Sequence, residues 1–175
     1  MITELLELIA ISLYFFLPAY LANMAPIIFR WVPWLRTPIH EKKFGKNKTW
    51  RGIVVAALMG GLVFSLQKLA YQNGFKLFTL IDYSDFSIIL GFLMGLGSIV
   101  GDLVESYYKR KQNIPPGKPW LPWDQLDFVF GAIFFGLVLY VPPAEVILVL
   151  ILASPLLHIL FNLLGYLLKI KKTKL

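Results

Sequence analysis

Five stretches of this chain, at 5–29, 52–70, 86–107, 126–141 and 144–168, are apolar for about the length of a bilayer span, and most of the charge lies between them. A span takes about 20 predominantly apolar residues, so each stretch is read as a transmembrane helix. The fourth is short and must begin near Asp124 to cross. Composition agrees, with 58% hydrophobic and 15% charged residues, against roughly 45–50% and 25% in soluble domains. The first stretch lacks a basic leader and its apolar run is too long for a cleavable signal. The expected fold is an all-α integral membrane protein with about five transmembrane helices, forming one polytopic domain over 1–175.

The cations orient it. Arg30, Arg36, Lys42, Lys43, Lys46, Lys48 and Arg51 fall in the first loop, and Lys109, Arg110, Lys111 and Lys118 in the third. Lys169, Lys171, Lys172 and Lys174 follow the last stretch, which leaves only Lys68 and Lys76 for the opposite side. Positive loops stay cytoplasmic. The N-terminus, with Glu4 and Glu7, is therefore expected outside, and the C-terminus and the loops at 30–51 and 108–124 in the cytoplasm. The net charge of +7 gathers between spans, which argues for anionic lipid or an anionic substrate as partner and against nucleic acid. The absence of cysteine excludes disulfides, thiolate catalysis and cysteine-held metals.

Within the spans, Gly91/Gly95 and Gly97/Gly101 form small-xxx-small pairs suited to close helix packing, as are Gly60, Gly61, Gly131 and Gly136. Asn23 and Pro26 are expected to interrupt the first helix. Ser154, His158 and Asn162 share one face of the fifth, where interhelical hydrogen bonding explains them better than a proton relay.

Two regions carry chemistry. In the stretch 97–127, Asp102, Glu105, Ser106 and Lys109 stack on one helix face. The cations Lys109, Arg110 and Lys111, a proline-rich loop, and the pair Asp124 and Asp127 follow. Carboxylates at the edge of a hydrophobic span are costly and so functional by default. Oxygen ligands of this kind suit magnesium, which a carboxylate or two and substrate phosphates usually hold. The alternatives are capping of a helix N-terminus by Asp124 or Asp127 and structural ion pairs for Asp102 and Glu105. In the first loop, Gly45-Lys46-Asn47-Lys48-Thr49-Trp50-Arg51-Gly52 puts cations and glycines just ahead of a helix, a good phosphate cradle. It is not a Walker motif.

GDLVESYYKR, PWDQLDFVFG and GKNKTWRG together resemble the archaeal CDP-archaeol synthases, small relatives of the CDP-diacylglycerol synthases. The resemblance covers essentially the whole chain. Ser106-Tyr107-Tyr108-Lys109-Arg110 is similar to the larger enzymes' Ser-x-x-Lys-Arg, and Asp124-Gln125-Leu126-Asp127 to their Asp-Arg-x-Asp. Their Gly-His-Gly-Gly and the Lys-Asp before it are missing, with Asp102 or Glu105 as candidates to replace the lost Asp. The resemblance implies transfer of a cytidylyl group from CTP to an isoprenoid ether-lipid phosphate, 2,3-bis-O-geranylgeranylglycerol 1-phosphate. On that footing Asp124 and Asp127, helped by Asp102 or Glu105, would hold magnesium. Lys46, Asn47, Lys48, Thr49, Arg51, Gly52 and Ser106 would bind CTP phosphates, and Lys109 and Arg110 the lipid phosphate or the leaving group.

Three other classes fit less well. An anion transporter is disfavoured by the lack of a repeat, and a scaffold has no use for acids beside two basic motifs. A CDP-alcohol phosphotransferase would carry Asp-Gly-x-x-Ala-Arg, which is absent.

Overall fold

The computed structural model describes residues 2–116 and 118–167, side chains at 161, 162 and 164–167 excepted. Those residues form seven α-helices: α1 (Ile2–Phe15), α2 (Leu17–Ile28), α3 (Glu41–Phe44), α4 (Trp50–Gln72), α5 (Ile89–Lys111), α6 (Trp123–Gly136) and α7 (Ala144–Leu167). Among them there is no β-strand, only an isolated bridge between Pro38 and Thr49. The lysines of the C-terminal tail lie outside the described residues.

The first apolar stretch is bent by 48° between α1 and α2. Its cause is Pro18, which offers no N–H and crowds the carbonyl four residues back, that of Tyr14. That carbonyl accepts from Nε2 of Gln67 on α4 at 2.5 Å, and Gln67 is buried. The break therefore lies at Pro18, where a distant side chain satisfies it, and not at Asn23 and Pro26, through which α2 stays helical.

By length and composition, α4 and α5 are each able to cross a membrane, and the bent α1–α2 pair makes a third such span. Leu58, Leu62, Leu66 and Leu69 are exposed along one face of α4, as expected of a helix that meets lipid. The α5 helix begins three residues later than expected and continues to Lys111, so all of Asp102, Glu105, Ser106 and Lys109 sit on regular helix. Fourteen residues of α6 rise only about 21 Å, less than the roughly 30 Å hydrocarbon core. The rest of the expected fourth stretch is a turn leading to Pro142 and Pro143.

Glycines make α5 the centre of the bundle. Gly91 and Gly95 lie against Gly60 of α4, and Gly97 and Gly101 against Gly131 and the Asp127 backbone of α6. A Cβ on Gly101 would fall on the carbonyl oxygen of Asp127. That approach brings the acidic part of α5 beside the start of α6. Gly136 does not share this role, since a Cβ there would only touch the Met94 and Leu90 side chains, at 3.7 and 3.9 Å. Toward the other end of the bundle, Phe16, Phe64, Tyr83, Leu90, Phe128 and Leu150 form the main buried cluster.

Candidate active site

The loop between α2 and α4 is a stapled hairpin rather than a free basic segment. The Ile39 N–H donates to the Lys48 carbonyl at 2.9 Å and that of Arg51 to the Leu35 carbonyl at 2.8 Å. Two arginine side chains hold its first arm. Nη1 of Arg51 donates to the carbonyls of Arg30 and Val32 at 2.9 and 2.7 Å, and Nη2 of Arg36 to that of Trp31 at 2.9 Å. At the far end Gly45, with φ 89°, turns the chain out of α3 through a conformation that favours glycine. Thr49 then caps α4, its hydroxyl oxygen accepting from the Gly52 N–H at 3.3 Å. This leaves Lys46 and Asn47 exposed and Lys48 half-buried, facing α5.

Lys48 meets Asp102 there. Its Nζ lies 2.6 Å from Oδ1 and 2.5 Å from Oδ2. One turn further, Glu105, Ser106 and Lys109 are buried. Carboxylate oxygens of Asp102, Glu105 and Asp127 converge within 4.8 Å of one another. Asp127 Oδ1 also accepts from the Phe128 N–H at 2.6 Å. Asp124 is held differently. Its Oδ1 takes Lys109 Nζ at 2.6 Å and its Oδ2 takes the Trp120 N–H. Lys109 also reaches Glu105 at 3.2 Å. Asp102, Glu105 and Asp127 therefore form a convergent trio, and Asp124, which also touches Glu105, ties the proline-rich loop to α5.

Three openings surround this cluster. A polar cavity of about 790 Å³ is lined by Lys46, Asn47, Lys48, Thr49, Arg51, Gly52, Asp102, Asp124 and Asp127. A smaller one of about 180 Å³ is lined by Asn47, Lys48, Asp102, Glu105, Ser106, Lys109, Arg110 and Asp124. An apolar groove of about 710 Å³ runs between α5 and α6, with Val104, Trp123, Phe130 and Phe134 in its walls and Glu105 and Asp127 at its edge. The residues singled out in the two motifs thus gather around one place, though they come from loops and helices far apart in the chain.

Some lining residues carry no motif. Arg30 and Arg36 enter the large cavity beside Asn23, Pro26 and His158. The arginines were visible only as part of the basic count. On α7, Ser154 and Tyr20 share a 2.7 Å hydroxyl–hydroxyl bond, the interhelical use expected of that face. The side chain of Asn162 is outside the described residues.

The family model for CarS-like CDP-archaeol synthase matches residues 5–175. The chain belongs to the CDP-archaeol synthase family. A CDP-archaeol synthase of Methanocaldococcus jannaschii is 37% identical, over 94% of this chain and 96% of its own length. That of Pyrococcus furiosus is 34% identical, over 91% and 94%. A solved structure of an intramembrane enzyme for archaeal membrane lipids biosynthesis superposes with a TM-score of 0.69 at 27% identity, covering 87% of this chain and 92% of that one. Membership makes the chain a transferase of archaeal lipid synthesis.

The residues of the site fit a divalent ion, which can neutralise phosphate charge in a nucleotidyl transfer. The trio offers hard oxygen donors of the kind magnesium takes. A lysine ammonium already rests on both oxygens of one of them, the position of a counter-cation. Asp102, Glu105 and Asp127 converge closely enough to hold the ion, and Asp124 lies beside them in side-chain contact with Glu105.

Proposed function

We propose that this CDP-archaeol synthase family member transfers the cytidylyl group of CTP to 2,3-bis-O-geranylgeranylglycerol 1-phosphate. An oxygen of the lipid phosphate attacks the α-phosphorus and forms a P–O–P bond. The bond from that phosphorus to the bridging oxygen breaks, and its electron pair leaves with pyrophosphate. The lipid phosphate is anionic at neutral pH, so no base has to remove a proton. The observation that carries this reading is the large basic cavity sharing Asp127 with an apolar groove. It supports a water-soluble polyanion on one side of the carboxylate trio and a membrane lipid on the other.

Lys46, Lys48 and Arg51 bind the triphosphate, aided by Asn47, Thr49 and the Gly52 turn. Arg30 and Arg36 add positive charge to the same cavity. Asp102, Glu105 and Asp127 would hold magnesium, which when bound would neutralise charge on the α-phosphate and the leaving group. Asp124 orients Lys109, and Lys109 and Arg110 face the phosphates. The isoprenoid chains lie along the α5–α6 groove, whose exposed Phe130 and Phe134 suit hydrocarbon.

In the membrane, α1–α2 form one bent span and α4, α5, α6 and α7 four more, the short α6 completed by the turn after it. The N-terminus is outside, and the loops at 30–51 and 108–124 shape an active site open to the cytoplasm. The asymmetry of lysine and arginine supports this orientation.

The test is product analysis by mass spectrometry after incubating the purified full chain with CTP, magnesium and the geranylgeranyl lipid phosphate. A CDP-lipid formed with CTP and absent with ATP supports the reading. Unchanged lipid in every tube, from folded protein, contradicts it.

A further inference from the structure

The first arm of the hairpin, from Trp31 to Leu35, presents an apolar surface that no described residue covers. Trp31 is 71% exposed and Trp34 and Leu35 each 45%, with Pro33 exposed between them. Leu35 also holds φ 50°, a left-handed conformation uncommon for a bulky residue. Its exposed side chain gains no burial within the protein to offset that cost.

The backbone of the same arm is treated in the opposite way. The carbonyls of Arg30, Trp31, Val32 and Leu35 all accept hydrogen bonds from inside the protein. Nη1 of Arg51 serves those of Arg30 and Val32, and its N–H that of Leu35. Nη2 and Nε of Arg36 serve those of Trp31 and Val32. A loop in water has no need of this, because water satisfies its carbonyls, whereas a segment that leaves water must satisfy them internally. Apolar side chains turned outward on a satisfied backbone suit a layer poor in water.

Position identifies the layer. The arm follows α2 directly, whose Leu21, Met24 and Ile28 are exposed on one face of the bent span. Across the hairpin the Trp50 N–H donates to the Thr37 carbonyl at 3.3 Å, and the exposed Trp50 ring opens α4, the next span. The arm thus lies level with the ends of two spans, at the bilayer interface where tryptophan gathers. Arg30 and Arg36 are exposed at its two ends, and their charge suits anionic headgroups.

We infer that residues 31–35 are a wedge seated in the headgroup layer of the membrane, on the side of the first loop. The partner is the lipid surface itself. Arg30, Arg36 and Arg51, which flank or brace the wedge, also line the large cavity, so its seating fixes the height of that cavity above the lipid phosphates. The wedge rests on the spans alone, and only its effect on lipid use rests on the function proposed above.

The chain has no cysteine, so single spin labels can report depth without background substitutions. Labels on Trp34→Cys and, as a reference in water, on Lys42→Cys of α3 are compared by power saturation with oxygen and a nickel chelate. The full chain is held in nanodiscs of equal parts phosphatidylcholine and phosphatidylglycerol. Oxygen is expected to relax the label at 34 more than nickel does, and the label at 42 less. Equal nickel access at the two positions overturns the wedge. So does a label at 34 shielded from both reagents, which would mean that a second copy covers the arm. Activity tests the consequence. Trp31→Ser combined with Trp34→Ser is expected to keep its thermal midpoint and to raise KM for the lipid phosphate severalfold in nanodiscs. In detergent micelles, which offer no leaflet to sit in, KM stays at the wild-type value. An unchanged KM in nanodiscs overturns the role in setting height. If wild type makes no CDP-lipid, the proposed function fails, and the label at 34 still decides the wedge.

Discussion

Lys48 and Asp102 are 54 residues apart in the chain and in direct contact, the ammonium within 2.6 Å of both carboxylate oxygens. The pair joins the two sequence motifs, and each partner has a second use in the account. Lys48 faces the triphosphate cavity and Asp102 belongs to the carboxylate trio. Cation and phosphate binding are therefore expected to be coupled through an exchange of partners, in which Asp102 takes a metal and Lys48 turns to the nucleotide.

Lys48→Met separates those uses. Removing the ammonium leaves Asp102 free for a divalent ion, so Mn²⁺ binding without CTP tightens while KM for CTP rises by about tenfold or more. Paramagnetic titration and steady-state kinetics on the same preparation measure both. A parallel fall in Mn²⁺ affinity contradicts the exchange.

Asp124→Asn tests a structural tie. The amide retains an acceptor for the Trp120 N–H but loses the charge that holds Lys109. Breaking one partner of a partly buried pair costs about 1–3 kcal/mol. The thermal midpoint falls, turnover drops, and Mn²⁺ affinity stays near wild type. Loss of metal binding in this variant would move Asp124 into the ligand set.

Much of this arrangement was legible beforehand, for reasons that can be traced to particular residues. Spacings of three, four and seven put Asp102, Glu105, Ser106 and Lys109 on one helix face whatever surrounds them. The two aspartates of α6 were harder. They lie three residues apart in one helix, and no spacing shows that Asp127, whose backbone packs on Gly101, is the one that converges with Asp102 and Glu105. The bend at Pro18 was hidden because its compensation, Gln67, sits 53 residues from the carbonyl it serves. Arg51 lines the large cavity, as its neighbours in the motif suggest, and its Nη1 also holds two loop carbonyls, a second use that no local pattern displays.

Gly101→Ala addresses the helix approach. The added methyl meets the Asp127 carbonyl, and overpacking of this kind costs about 1–3 kcal/mol. Moving α6 away from α5 also spreads the trio. Lower thermal stability together with weaker Mn²⁺ binding is expected, whereas Gly136→Ala, with room for the methyl, changes neither.

Val104→Trp fills the apolar groove without touching the basic cavity. KM for the lipid phosphate should rise severalfold while KM for CTP stays constant. The reverse pattern in initial-rate measurements would place the lipid elsewhere.

The most direct measurement is Mn²⁺ binding to Asp127→Asn, followed by electron paramagnetic resonance in the presence of CTP, beside wild type. Asp127 is the carboxylate that belongs to the trio and lines both the basic cavity and the groove. Wild type is expected to bind the ion with CTP, and the variant, folded and inserted, to lose that binding and its turnover together. A variant that binds Mn²⁺ as wild type does and still makes CDP-lipid would contradict it.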